Sequence, residues 1–210
     1  SASIVFAGII IDGYFRETKE KRVLRSHFGR YVNESVLNDI LENPDAVDFE
    51  GRTVRASIMA TDIQGFTSIS EQLTPHEVVS LLNDYLSEVS EALIDNGAYI
   101  NKYIGDAILA LYGAFGEDGH EAIALRAALR ARDIIARKIG EAEQAGRIPF
   151  ITRMGITTGD MTLGNIGSKR KIEYTVIGDT VNTAFRLEGL NKYYGTRIIV
   201  SGVTKDSAGD

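Results

Sequence analysis

The stretch from Ile58 to Ser70, I-M-A-T-D-I-Q-G-F-T-S-I-S, constrains the chain most, because it fixes where a strand must end and what that end carries. Val54 to Ile63 is rich in β-branched residues, which suit a pleated strand. Gly65 then permits a tight turn, since glycine adopts positive φ without steric cost. Asp62 is left at the mouth of that turn, and Thr67, Ser68 and Ser70 supply hydroxyls and N–H groups at the start of a helix. An acid, a glycine turn and a set of donors are what a site for metal and phosphate oxygens needs. An ordinary strand end with a capping aspartate has the same residues, and this stretch alone fits both.

Composition narrows the chemistry. A chain of 210 residues, 44% of them hydrophobic, can bury a real core, and one domain with an extension is expected. A net charge of −6 argues against broad binding to nucleic acid. The absence of cysteine removes disulfides and thiolate ligands, and three scattered histidines argue against zinc, so any metal should be a hard cation held by oxygen. The apolar run within Ser3 to Ile11 is shorter than the ~20 residues of a spanning helix and reads as the end of a longer apolar segment. No basic region precedes it as in a signal peptide, so the folded part is expected in the cytoplasm, with that segment as a tether to the inner face of a membrane.

Tyr14 to Arg30 is charged, with Val23, Leu24, Phe28 and Tyr31 at helical spacing, which predicts an amphipathic connecting helix in need of a partner such as a second copy. Asn33 caps a short helix that Asn43-Pro44 stops. We place a domain boundary near Gly51, giving a helical extension over 1–50 and a folded domain over 51–210. T-P-H-E at Thr74 to Glu77 is a capping box with proline at the first helical position, and Gly97 closes the helix it opens. Two β-type runs flank Gly105-Asp106, a hairpin-turn pair that carries a second acid to a strand end. Asp118 to Ala145 is the longest predicted helix. Phe150 to Thr158 and Met161 to Ile166 are expected to form a hairpin across Gly159-Asp160, followed by a short strand at Tyr174 to Ile177. Gly178-Asp179 opens a helix that Gly195 stops, and Arg197 to Ser201 is the last predicted strand. The order implies an α+β, ferredoxin-like sandwich: a largely antiparallel sheet with helices packed on one face.

Two aspartates at neighbouring strand ends beside a glycine turn suit two-metal phosphoryl transfer. Asp106 alone is equally a turn-former. Four motifs in order, T-D-I-Q-G-F-T, N-K-Y-I-G-D-A, G-I-T-T-G-D and Y-T-V-I-G-D-T-V-N-T-A-F-R-L-E, together resemble the class III nucleotide cyclase catalytic domain from about Val54 to Ser201. The resemblance implies that Asp62, the Ile63 carbonyl and Asp106 hold two Mg²⁺ or Mn²⁺ ions, and that Gly65, Phe66 and Thr67 wrap the β- and γ-phosphates. It implies that Asn182 orients the ribose and Arg186 stabilises charge on the α-phosphate. Four residues apart, these two share a helix face; outside the family pattern they read as a cap-like polar residue and a solvated charge.

The base-reading pair implied by the resemblance is Lys102 and Thr175. Lysine only donates, which suits N1 of adenine and clashes with N1–H of guanine, while Thr175 can accept from the adenine amino group yet could also donate to guanine O6. The implied function is an adenylate cyclase acting on ATP as a homodimer with shared sites, joined to an upstream sensor or membrane module. The alternatives are a guanylyl cyclase, or a non-catalytic dimerisation or nucleotide-sensing module with the same fold. Arg170 and Lys171 stand where the family often has a basic residue on the triphosphate. Further strands with another triphosphate-binding lysine, usual in the family, are expected to be missing after Ser201. Ala60 stands where phenylalanine is common, and Phe185 where a small residue is common.

Overall fold

The computed structural model describes residues 51–147, 149–168 and 170–209. The helical extension expected over residues 1–50 lies outside the described residues. The elements are β1 (Arg52–Ile63), α1 (Phe66–Ser70), α2 (Pro75–Ile94), β2 (Tyr99–Ile104), β3 (Ala107–Tyr112) and α3 (His120–Gln144), then β4 (Thr152–Ser168), β5 (Lys171–Ile177), α4 (Asp179–Tyr194), β6 (Ile198–Val200) and α5 (Gly202–Ala208). The sheet runs β2-β3-β1-β4-β5 with antiparallel neighbours, and β6 adds in parallel beside β4. The α+β class and the largely antiparallel sheet are as expected. Among the described residues, no helix is long and apolar enough to cross a membrane.

Alternation along β1 sorts two cores onto opposite faces. Met59 and Ile63 meet Tyr85, Val89 and Leu93 of α2 and Ala124, Ala128 and Ile135 of α3. Ala56, Ile58 and Ala60 meet Leu109, Leu111, Met161, Leu163 and Ala184, the last from α4. Helices therefore cover both faces, where a single covered face was expected. The reason is local: Gly155 on β4 has no Cβ, and one built there would lie 2.2 Å from the Ala184 carbonyl oxygen and the Glu188 nitrogen, so α4 rests directly on the sheet backbone. Ala60 is buried in this same cluster, and Phe185 packs against it.

The expected hairpin at Gly159-Asp160 does not form. β4 runs unbroken through it for 17 residues, pairing with β1 from Thr152 to Leu163 and with β5 from Thr162 onward. Gly159 makes room for the Thr180 side chain, and its φ is not positive. Elsewhere the local signals act as read. Thr74 and Glu77 make the full capping box, with the Glu77 carboxylate accepting from the Thr74 N–H at 2.8 Å. α5, capped by Ser201, was not anticipated.

Candidate active site

β1 and β3 pair in register only from Ser57 to Ala60. Beyond Ala60, side chains stand where the main-chain ladder would continue. Thr61 Oγ1 accepts the Ile108 N–H at 3.1 Å, and Asp106 Oδ2 accepts the Ile63 N–H at 3.0 Å. Asp106 is the second loop residue of the β2–β3 hairpin, after Gly105 at φ 63, the arrangement of a primed turn. On its other side β1 stays paired to its end, which sets Asp62 opposite Arg153 and lets Arg153 Nη2 donate to Asp62 Oδ2 at 2.6 Å. The two expected acids thus meet at adjacent strand ends.

Their environment suits a divalent cation. Burial holds the Asp106 carboxyl above its usual range, and the nearby Asp62 charge adds to that, against the Ile63 hydrogen bond. Two close carboxylates with hard oxygen donors are relieved by Mg²⁺ or Mn²⁺. Among the described residues no group of three or more His, Cys, Asp or Glu side chains is placed to hold an ion, and the side-chain oxygens at these strand ends come from the two acids. Beneath the site, Tyr85 accepts from Thr152 Oγ1 at 3.0 Å, and burial pushes its phenol up to about 12, keeping that floor neutral.

Arg153 joins this cluster without a sequence signal, and Glu188, which closes the fourth motif, without an expected role. Arg153 Nε lies 2.9 Å from Glu188 Oε1 of α4, an ion pair not aligned as a hydrogen bond. Burial raises the Glu188 carboxyl, with the Asp62 charge adding and Arg153 opposing. One guanidinium thus links a β1 acid to α4. Gly65, at φ 72, is the left-handed entry to α1, and its carbonyl accepts the Ile69 N–H at 3.1 Å. Phe66 packs on the α2–α3 core, while Thr67 is exposed.

The base-reading candidates also come together. The β2–β3 register shifts between Ile100, opposite Ala110, and Lys102, opposite Leu109, so Asn101 is an extra, bulged residue. Side chains alternate, so without the bulge Lys102 would share the face of Ile100, toward α2. With it, Lys102 turns toward β5, where Nζ lies 2.6 Å from Glu173 Oε1. Thr175, two residues on, is 5% exposed and bonded to Asn101.

Asn182 and Arg186 are not brought to the acids within this chain. Both lie on the exposed face of α4, and Arg186 Nη1 pairs at 3.5 Å with Asp179 of its own helix. Lys171 opens β5, its N–H donating to Ser168 Oγ at 3.2 Å, as does that of Arg170 at 3.3 Å.

The sequence model of the adenylate and guanylate cyclase catalytic domain matches residues 50–208. The adenylate cyclase of Anabaena cylindrica is 40% identical over 191 residues, covering 87% of this chain and 37% of its own length. Adenylate cyclase 1 of Rhizobium meliloti (strain 1021) is 37% identical over 180 residues, covering 83% of this chain and 26% of its own. The chain therefore spans well under half of these relatives. The crystal structure of the guanylyl cyclase Cya2 superposes with a TM-score of 0.69 at 32% identity, over 76% of this chain and 81% of that one. With motifs, fold and paired acids in agreement, the chain belongs to the class III adenylate and guanylate cyclase catalytic domain family.

Proposed function

We propose that this domain is an adenylyl cyclase, converting ATP to 3',5'-cyclic AMP and pyrophosphate. The observation that carries the reading is the convergence of Asp62 and Asp106 at adjacent strand ends, joined through the Ile63 N–H. In the reaction the ribose 3'-oxygen bonds to the α-phosphorus and gives up its proton to solvent water. The bond from that phosphorus to the bridging oxygen breaks, and pyrophosphate leaves with the electron pair. Asp62, Asp106 and the Ile63 carbonyl would hold two Mg²⁺ or Mn²⁺ ions. When bound, these supply Lewis acidity to the attacking oxygen and neutralise charge on the triphosphate.

The chain's other groups position and read the nucleotide. Gly65, Phe66 and Thr67 would present main-chain N–H groups to the β- and γ-phosphates. Arg186 would set a permanently charged guanidinium against the α-phosphate, and Asn182 would orient the ribose. Because Asn182 and Arg186 lie exposed on α4, a second copy of the chain is their natural route to the acids, and the product would serve a signalling pathway. Lys102 supports ATP as substrate, since an ammonium donates to N1 of adenine and has nothing to offer N1–H of guanine. The names of the two relatives agree with this reading. Likeness to the guanylyl cyclase Cya2 favours GTP as the second reading.

The test is formation of cyclic product by purified protein from ATP or GTP, each with Mg²⁺ or Mn²⁺. ATP should be preferred, and Asp62→Ala or Asp106→Ala should reduce activity to background. Lys102→Glu should move preference toward GTP, because a carboxylate accepts from N1–H and the amino group of guanine. Undiminished activity without either acid removes that acid from the mechanism.

A further inference from the structure

Asn101 is the extra residue of the β2 bulge, and its side chain reaches across to β5, the opposite end of the strand order. Its Nδ2 donates to the Tyr174 carbonyl at 3.3 Å, and its Oδ1 accepts from Thr175 Oγ1 at 2.9 Å. A main-chain carbonyl can only accept, so the amide nitrogen faces Tyr174 and the amide oxygen faces Thr175. That oxygen can also only accept, so the Thr175 hydroxyl gives it its single proton. What Thr175 offers to any other group is lone pairs.

We propose that Asn101 is a specificity-determining residue: it converts Thr175 from a hydroxyl able to donate or accept into an acceptor, so that the pocket takes the 6-amino group of adenine and rejects O6 of guanine. The inference rests on the reading that Lys102 and Thr175 meet the base of ATP. Lys102 then only donates and Thr175 only accepts, matching N1 and the amino group of adenine. Guanine presents N1–H and O6, the reverse of both. A pocket whose polar groups are left facing like groups discriminates more strongly than one that merely fits a shape. One inserted residue sets both readers, since the bulge turns Lys102 toward β5 and carries Asn101 to Thr175.

The test compares kcat/KM for ATP and GTP in the whole chain and in Asn101→Leu, Thr175→Val, the double variant and Asn101→Asp. Displacement of a fluorescent ATP analogue by each nucleotide gives the same ratio without turnover. Asn101→Leu frees the Thr175 proton to donate to O6, so the ATP-to-GTP ratio should fall about tenfold, the worth of one hydrogen bond, chiefly through a lower KM for GTP. Asn101→Asp keeps an acceptor for Thr175 but sets its second oxygen against the Tyr174 carbonyl, so it should keep the ATP-to-GTP ratio while weakening both nucleotides. In the Thr175→Val background no hydroxyl remains to redirect, and adding Asn101→Leu should leave the ratio where it was. Were the role of Asn101 merely structural, Asn101→Leu would depress both nucleotides alike. That outcome, or an equal fall in the ratio with and without the Thr175 hydroxyl, overturns the proposal. A whole chain that prefers GTP overturns the ATP reading and this inference with it, whereas an ATP preference that survives Asn101→Leu overturns the inference alone.

Discussion

Arg153 holds the charge balance of the acid cluster. Its guanidinium faces Asp62 at 2.6 Å and Glu188 at 2.9 Å, and the Asp106 carboxyl lies close enough to feel the Asp62 charge. Breaking a buried pair from one side costs about 3–5 kcal/mol; Asp62 is 31% exposed, which screens part of this, so about 2–3 kcal/mol is expected for Arg153→Met. For a domain of this size that is a fall in Tm of roughly 4–12 °C. If the acids bind a divalent cation, added Mg²⁺ should recover part of the loss by replacing the missing positive charge, and EDTA should abolish the recovery. Melting curves of parent and variant, with Mg²⁺ and with EDTA, are the measurement; a variant melting like the parent in both would deny Arg153 this role. Asp62 and Asp106 were legible in the sequence because a turn glycine stands within three residues of each. Arg153 was not: it meets Asp62 only through a β1–β4 register that joins residues 91 positions apart.

At the scale of the element, the decisive contact is α4 lying on β4. Gly155→Ala would drive a methyl group into main-chain atoms of Ala184 and Glu188 at 2.2 Å, and neither can rotate away. The helix would have to lift, opening the core built on Ala60, Leu163 and Ala184 and shifting Glu188 from Arg153. A loss of at least about 3 kcal/mol is expected, near the upper range for overpacking. Gly159→Ala meets only the Thr180 side chain, at 2.7 Å, and should be milder. Thermal or urea unfolding of the two variants checks the order, and an equal or reversed ranking would contradict this account of why α4 seats where it does. The same glycines explain what the sequence hid. Gly105-Asp106 and Gly159-Asp160 are identical dipeptides between β-type runs, yet the first is a turn with left-handed glycine and the second lies in a continuous strand beneath Thr180. Only the partner distinguishes a turn glycine from a close-approach glycine, and the partner is 20 or more residues away. Capping signals need no distant partner, so the limits of α2 could be read directly.

At the scale of the whole molecule, the groups we propose for one reaction lie on surfaces that do not meet. Asp62 and Asp106 lie at the β1 and β2–β3 ends, while Asn182 and Arg186 lie exposed on α4, whose opposite side seats Ala184, Glu188 and Asn191 against the sheet. Among the described residues no hydrogen bond or ion pair joins Asn182 or Arg186 to either acid; the ion pair of Arg186 is with Asp179. A two-fold dimer would resolve this by setting α4 of one copy against the acids of the other, giving two equivalent sites at one isologous interface. Under that arrangement, an Asp62→Ala/Asp106→Ala chain and an Asn182→Ala/Arg186→Ala chain are each inactive as homodimers. A heterodimer of the two has one site with every group intact and one with none. Random pairing of equal amounts makes half the dimers mixed, each with one working site of two, so about a quarter of the parent activity should return. Co-expression with two different tags, followed by tandem purification of the mixed dimer, raises the expected value to about half. Isolated heterodimers that remain at background would place the whole site within one chain, and α4 would then have to reach the acids by a movement of its own.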